Sequence, residues 1–197
     1  RLTDYLVVDS FTADKFTDQR EGKKVDVTEL EITKLYDNGY GPSNGIMFFS
    51  DNISGGSEFP GLRVRNGSEL DAGLTIASAN PIYTLGNFNS TNKKPASLLA
   101  DAITYLSGSW DDAKSTHTKA DRVATATTVN ASYMTGNVAT TSTVYSGGFE
   151  NLPRFLEKWS NKEFTWRGSA VCLWNSHQSV GGWNGTYYDP PLRRWYY

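Results

Sequence analysis

The chain has 197 residues, a formal net charge of −2 and only 20% charged residues. It carries no block of like charge, which excludes an electrostatic grip on nucleic acid or anionic lipid. One cysteine and two histidines exclude an internal disulfide framework and a zinc cluster.

Hydrophobic residues make up 38%, yet 13% are aromatic, and 53 residues are Ser, Thr or Asn. Few aliphatics with many aromatics and small polar side chains describe a β-rich, extracellular type of protein. No apolar run is long enough to span a bilayer, so no membrane insertion by this segment is expected. The sequence opens on Arg1 without a signal-like apolar core and reads as a processed or excised piece. N-x-S/T triplets stand at Asn52, Asn66, Asn89, Asn130 and Asn184, and matter only in a eukaryotic secretory pathway.

Leu6-Val7-Val8 predicts a short strand, followed by a solvated loop or short helix through about Lys24. From Val25 to Tyr36, Val25, Val27 and Glu29 alternate on one side, then Leu30, Ile32 and Lys34 on the other. A bulge or short loop near Glu29-Leu30 would reconcile the two phases. NGYGPSNG is dense in turn residues. Apolar runs then recur: 46–49, 62–64, 74–76, 82–85, 129–134, 144–145 and 164–174. Apart from the long gap between 85 and 129, their starts are roughly 8–20 residues apart, with polar punctuation between, which is the signature of an all-β sandwich, barrel or solenoid.

The stretch GLTIASANPIYTLGNFNST favours the solenoid. It reads as two short strands joined at a tight corner by Asn80, a residue that tolerates the left-handed region and bonds to the adjacent coil. No fixed period is present, so the coils are expected to be irregular. The expected fold is mainly β: a single domain over 1–197, an irregular right-handed parallel β-helix with one short α-helix near 151–159. A β-sandwich is the alternative. The helix rests on Asn151 as N-cap, Pro153 in the first turn, and Leu152, Phe155, Leu156 and Trp159 on one face. Leu98–Trp110 fits helix and strand equally. An open coil end leaves unpaired edge groups, so stacking on a second copy is among the expected contacts.

Candidate chemistry is sparse. Asp111-Asp112, with Asp101 nearby, reads as a solvated loop rather than a carboxylate site, and no calcium-loop spacing occurs. Glu150 and Glu157 bracket the expected helix start and its exposed side. His117 and His177 lack a nucleophile elbow. Cys172, alternating with Ala170 and Trp174, reads as a small buried side chain. No catalytic residue, metal ligand or cofactor is therefore assigned. The aromatics carry more. Trp159, Trp166 and Trp174 suit a core, and Trp166 and Trp174 would share a face of one strand. Trp183, Tyr187 and Tyr188, in a Gly-rich loop, and Trp195 are the candidate ligand-binding residues, as a platform for sugar rings or a partner surface.

One ordered series of segments resembles a known family. NPIYTLGNFNSTNKKPASLLADAITYLSGSWDDA, ATTVNASYMTGNV, YSGGFENLPRFLEKWSNKEFTWRGSAVCLWNS and YYDPPLRRWYY together are similar to the C-terminal region of bacterial surface proteins with PilX-type, type IV pilus accessory N-termini. The resemblance covers about 70–197; residues 1–69 carry none. It implies a non-catalytic, extracellular, surface-displayed structural or adhesive module. Its implied partners are pilus or cell-envelope proteins, with pilus attachment supplied by a longer precursor. Carbohydrate binding through the C-terminal aromatics is the alternative function, and a β-helical polysaccharide-degrading enzyme the second.

Overall fold

The computed structural model describes residues 6–7, 16–37, 39, 41–51 and 58–197. The fold is mainly β. The first strands are β1 (Leu6–Val7), β2 (Phe16–Asp18), β3 (Lys23–Glu31) and β4 (Ile46–Phe49), with one α-helix, α1 (Ile32–Asp37), after β3. Next come β5 (Glu58–Glu69), β6 (Leu74–Ser78), β7 (Ile82–Thr91), β8 (Ala96–Ala100) and β9 (Ile103–Leu106). Then follow β10 (Thr127–Asn130), β11 (Ser132–Thr135), β12 (Pro153–Arg154), β13 (Glu163–Arg167), β14 (Ala170–Val171) and β15 (Leu192–Tyr196).

Pairing is parallel except at the start, where β1 and β2 lie antiparallel to β3. A first ladder joins β3, β5, the front of β7, β9 and β12, and stacks Thr28, Leu62, Ile82, Ile103 and Pro153 in one column. A second joins the ends of β5 and β7 to β10, β13 and β15, stacking Gly67, Phe88, Val129, Trp166 and Trp195. A third joins β4, β6, β8, β11 and β14, stacking Met47, Ile76, Leu98, Tyr133 and Ala170. Successive passes of the chain visit the ladders in the same order.

Local chemistry sets the corners between ladders. Asn66 (φ 53°) falls at the register shift inside β5, and Gly86 (φ 76°) at the matching bend of β7. Both lie in the left-handed region that Gly and Asn enter at least cost. Asn80 is buried, and its amide grips the neighbouring pass, accepting from Asp51 N at 2.8 Å and donating to Asp51 O at 3.0 Å. It is not among the residues with positive φ, so its role is the bond and not the conformation. Asn89 does both. It has φ 52° and donates to Lys94 O (2.6 Å) and Asn130 O (2.8 Å), while Asn130 donates back to Asn89 O (2.8 Å). Asn89→Ala strands the buried Asn130 carbonyl, removes the bond to Lys94 and strains the backbone. Urea denaturation is expected to show a loss of about 3 kcal/mol. Asn89 and Asn130 are both buried, so neither triplet is an accessible glycan acceptor.

Residues facing inward from the three ladders make the main core, including Leu62, Ile82, Tyr105, Val129, Phe155, Trp159, Phe164 and Trp166. A second apolar cluster lies on the outer side of the first ladder: Phe16, Val25, Val27, Phe59, Tyr83, Leu106 and Leu156. This cluster corrects several expectations. The stretch before Lys24 is not wholly solvated, because β2 covers the outer cluster and buries Phe16, Asp18 and Arg20. No bulge interrupts Glu29-Leu30. The β3–β5 register runs unbroken from Lys24 to Glu31, and both faces of β3 are covered.

The short helix expected near 151–159 does not form. The segment makes one 3-10 turn (Phe149–Asn151) and the strand β12, then continues irregularly to an isolated bridge at Lys158. Leu152, Phe155 and Trp159 enter the main core, whereas Leu156 enters the outer cluster. Apolar layers on both sides of the first ladder therefore demand side chains in opposite directions, which a one-faced helix cannot supply. The run 144–145 is not a strand, and Cys172 is exposed. Trp174 does not share a strand with Trp166, because β13 ends at Arg167.

Candidate functional site

The four aromatics singled out by sequence fall around the C-terminal end of the second ladder. Two of them, Trp183 and Tyr188, line one groove of about 450 Å³ together with Glu150, Asn151, Asp189 and Arg193. The 3-10 turn at Phe149–Asn151 forms one wall, the 183–191 loop another, and β15 supplies Arg193.

The segment that leads into the loop is fastened to the stack. The buried Asp101 accepts from the backbone N–H groups of His177 (2.5 Å), Gln178 (3.1 Å) and Ser179 (2.8 Å). Trp183 N donates to Tyr145 O at 2.6 Å, and the two rings meet edge-on at 5.9 Å. Trp183 Nε1 donates to Tyr188 Oη (3.0 Å), which donates to Asn151 Oδ1 (2.7 Å). Tyr188 is buried against Phe155, and Trp183 remains 37% exposed. The outcome is an indole fixed along its polar edge, with part of its surface free above a polar groove.

Charge in the groove is internally balanced. Arg193 donates to Glu150 Oε2 at 2.9 Å and lies 5.1 Å over the Trp195 ring. Asp189 takes Lys119 Nζ at 2.5 Å and Ser160 Oγ at 2.9 Å, and the Lys119 bond holds its carboxyl below the ordinary value. Tyr187 is half-buried and lines no wall of the groove, and its Oη accepts from Asn184 Nδ2 at 2.7 Å. Trp195 sits beneath Arg193, edge-on to Trp166 at 6.0 Å.

Sequence reasoning assigned no binding role to Glu150, Asp189 or Arg193. Their convergence comes from long-range pairing. Only the DPP turn at Asp189-Pro190-Pro191 gave a local hint of a fixed loop.

No Ser, Thr, Cys or His lines this groove, and its carboxylates are those of Glu150 and Asp189. Among the described residues no group of three His, Cys, Asp or Glu is placed to hold a metal ion. Glu157 is buried, not on an exposed face, and borders a smaller cleft of about 250 Å³ with Trp110, Asp111 and Arg122. Both its oxygens are occupied, by Ser107 N (2.7 Å) and Ser107 Oγ (2.6 Å). Asp112 likewise serves the fold, accepting from Arg63 (2.7 Å) and Trp110 Nε1 (2.7 Å). No helix among the described residues is long and apolar enough to cross a membrane. Comparison with family models, with curated proteins and with solved structures finds no match for this chain.

Proposed function

We propose that this chain is an irregular right-handed parallel β-helix serving as a non-catalytic, surface-displayed adhesive module, and that the Trp183 groove binds carbohydrate. The repeated order of visits to three parallel ladders supports the coil. The surface-displayed, pilus-linked part rests on the resemblance of residues 70–197. The carbohydrate part rests on one observation: an indole clamped along its edge and left 37% exposed above a groove of about 450 Å³ lined by carboxylate, amide and guanidinium groups. Sugars present an apolar ring face and polar hydroxyls, and this surface offers a partner to each.

Polysaccharide affinity electrophoresis tests the reading. The intact domain is expected to be retarded by at least one polysaccharide, and Trp183→Ala to weaken that binding about tenfold, equivalent to about 1.4 kcal/mol. Phe48→Ala, in an exposed strand distant from the groove in the ladder order, should leave it unchanged. Lack of retardation across a broad panel removes the carbohydrate reading. Release of reducing ends would replace it with an enzyme.

A further inference from the structure

Tyr145 stands beside Trp183. It is 57% exposed, and its ring meets the Trp183 ring with centroids 5.9 Å apart. The segment that carries it is tied off on both sides. Thr141 N donates to Val144 O at 2.7 Å, and Ser146 N donates to Thr140 Oγ1 at 3.2 Å. Gly147 and Gly148 then take φ of 80° and 70°, and Asn151 Nδ2 donates to Gly147 O at 2.6 Å. These bonds carry the chain from Tyr145 directly into the groove wall at Glu150 and Asn151.

Two exposed aromatic rings are therefore mounted side by side, on segments bonded to each other through Trp183 N and Tyr145 O. Tyr145 lies outside the groove lining and extends the apolar surface of Trp183 beyond the rim. The two ring planes stand at 79° to each other. Rings so disposed cannot both lie flat against one plane, as stacking on a crystalline polysaccharide face requires. They suit a single chain that turns as it passes from one ring to the next.

The groove has no charge left over. Its charged lining residues are Glu150, Asp189 and Arg193. Glu150 holds Arg193 at 2.9 Å, and Asp189 holds Lys119 at 2.5 Å, so two carboxylates face two cations. A charged sugar would have to break one of these pairs. A neutral hydroxyl can donate to the carboxylate, or accept from the guanidinium, with the pair intact.

We infer that Tyr145 is a second sugar-stacking residue, and that the Trp183 site takes a single soluble chain of neutral sugars spanning at least two units. This rests on the carbohydrate reading above and adds the physical form and charge class of the glycan. Both rings are held in place by their own segments, so little freedom is lost when a chain stacks on them.

The probes are three soluble neutral polymers (a mixed-linkage glucan, a glucomannan and a xyloglucan), polygalacturonate, and microcrystalline cellulose and chitin. At least one soluble neutral polymer is expected to bind, roughly tenfold or more above polygalacturonate, with an affinity that does not change with salt. The crystalline solids should retain no more of the domain than an inert resin does. Oligosaccharides cut from the best polymer then test the two rings. In the intact domain, affinity should rise with length until both rings are covered. Tyr145→Ala should remove that rise, weakening long chains about fivefold and leaving the disaccharide nearly unchanged. Tyr145→Phe keeps the ring and should bind like the parent, and melting temperatures check that each variant is folded. Equal weakening at every length would make Tyr145 a prop for Trp183 and overturn the second contact. So would a Tyr145→Ala variant that binds like the parent. Tighter binding to polygalacturonate or to a crystalline solid overturns the free neutral chain and leaves the carbohydrate module standing. Failure of every polymer to bind overturns both.

Discussion

Replacing Arg154 by Met is expected to destabilise the domain by about 3–5 kcal/mol, because it leaves a buried carboxylate without its counter-ion. Arg154 projects from the outer side of the first ladder and pairs with Glu21, with side-chain exposures of 4% and 1%. Its other arm donates to Ser179 O at 2.5 Å. Glu21 Oε2 accepts from Gly181 N at 2.7 Å, and Arg20 Nε donates to Gly181 O at 3.0 Å. Asp18 completes the knot, accepting from Tyr83 Oη at 2.8 Å and from Arg20 N at 2.9 Å. Burial already pushes the Glu21 carboxyl up, against the pull of Arg154. Without the guanidinium it would have to take a proton or draw water in. Removing both charges together, as Glu21→Gln with Arg154→Met, should recover much of the loss. Urea denaturation of the two single variants and the double at pH 7 reads out the coupling. A double variant as unstable as the sum of the singles would show that the pair is not coupled.

Glu157 should make the stability fall between about pH 4.5 and 7. Burial raises its carboxyl from 4.5 to about 7, opposed by the bonds from Ser107 and by the Arg122 charge. In that window the folded chain keeps a proton that the unfolded chain releases. The contribution is therefore complete below pH 4.5 and lost as the pH climbs through the folded value. A displacement of this size amounts to roughly 3 kcal/mol. Glu157→Gln keeps the shape and has no proton to lose. It should match the parent near pH 4.5 and exceed it by up to roughly 3 kcal/mol at pH 8. A difference that does not change with pH would show that Glu157 titrates as an ordinary carboxyl.

The strands were readable where apolar runs met turn residues: 46–49, 74–76 and 82–85 fall within β4, β6 and β7. The segment 151–159 was not. Its apolar spacing fits a helix, and only the presence of core on both sides of the first ladder shows why Phe155 and Leu156 must point apart. Charged residues on strands leave no local signal of their partners either. Glu29 and Arg63 are both buried and pair with each other across β3 and β5, with Nε to Oε1 at 2.8 Å. Of the site, the aromatics were legible because exposed loops rich in Trp and Tyr are locally conspicuous. Arg193 was not, since its meaning comes from standing on Phe164, a pairing that spans 29 positions and leaves no local pattern.

The knot around Arg154 also bears on how the molecule comes apart. A stack of passes, each resting only on its neighbours, would fray from its ends one pass at a time. Here Glu21 and Gly181, 160 positions apart, are fastened to each other across the side of the stack. The passes between them cannot separate without breaking that fastening, whereas β15, beyond Gly181, is not held by it. Closing so long a loop precedes any reward from its contacts, so the fastening is expected to form late and refolding to be slow.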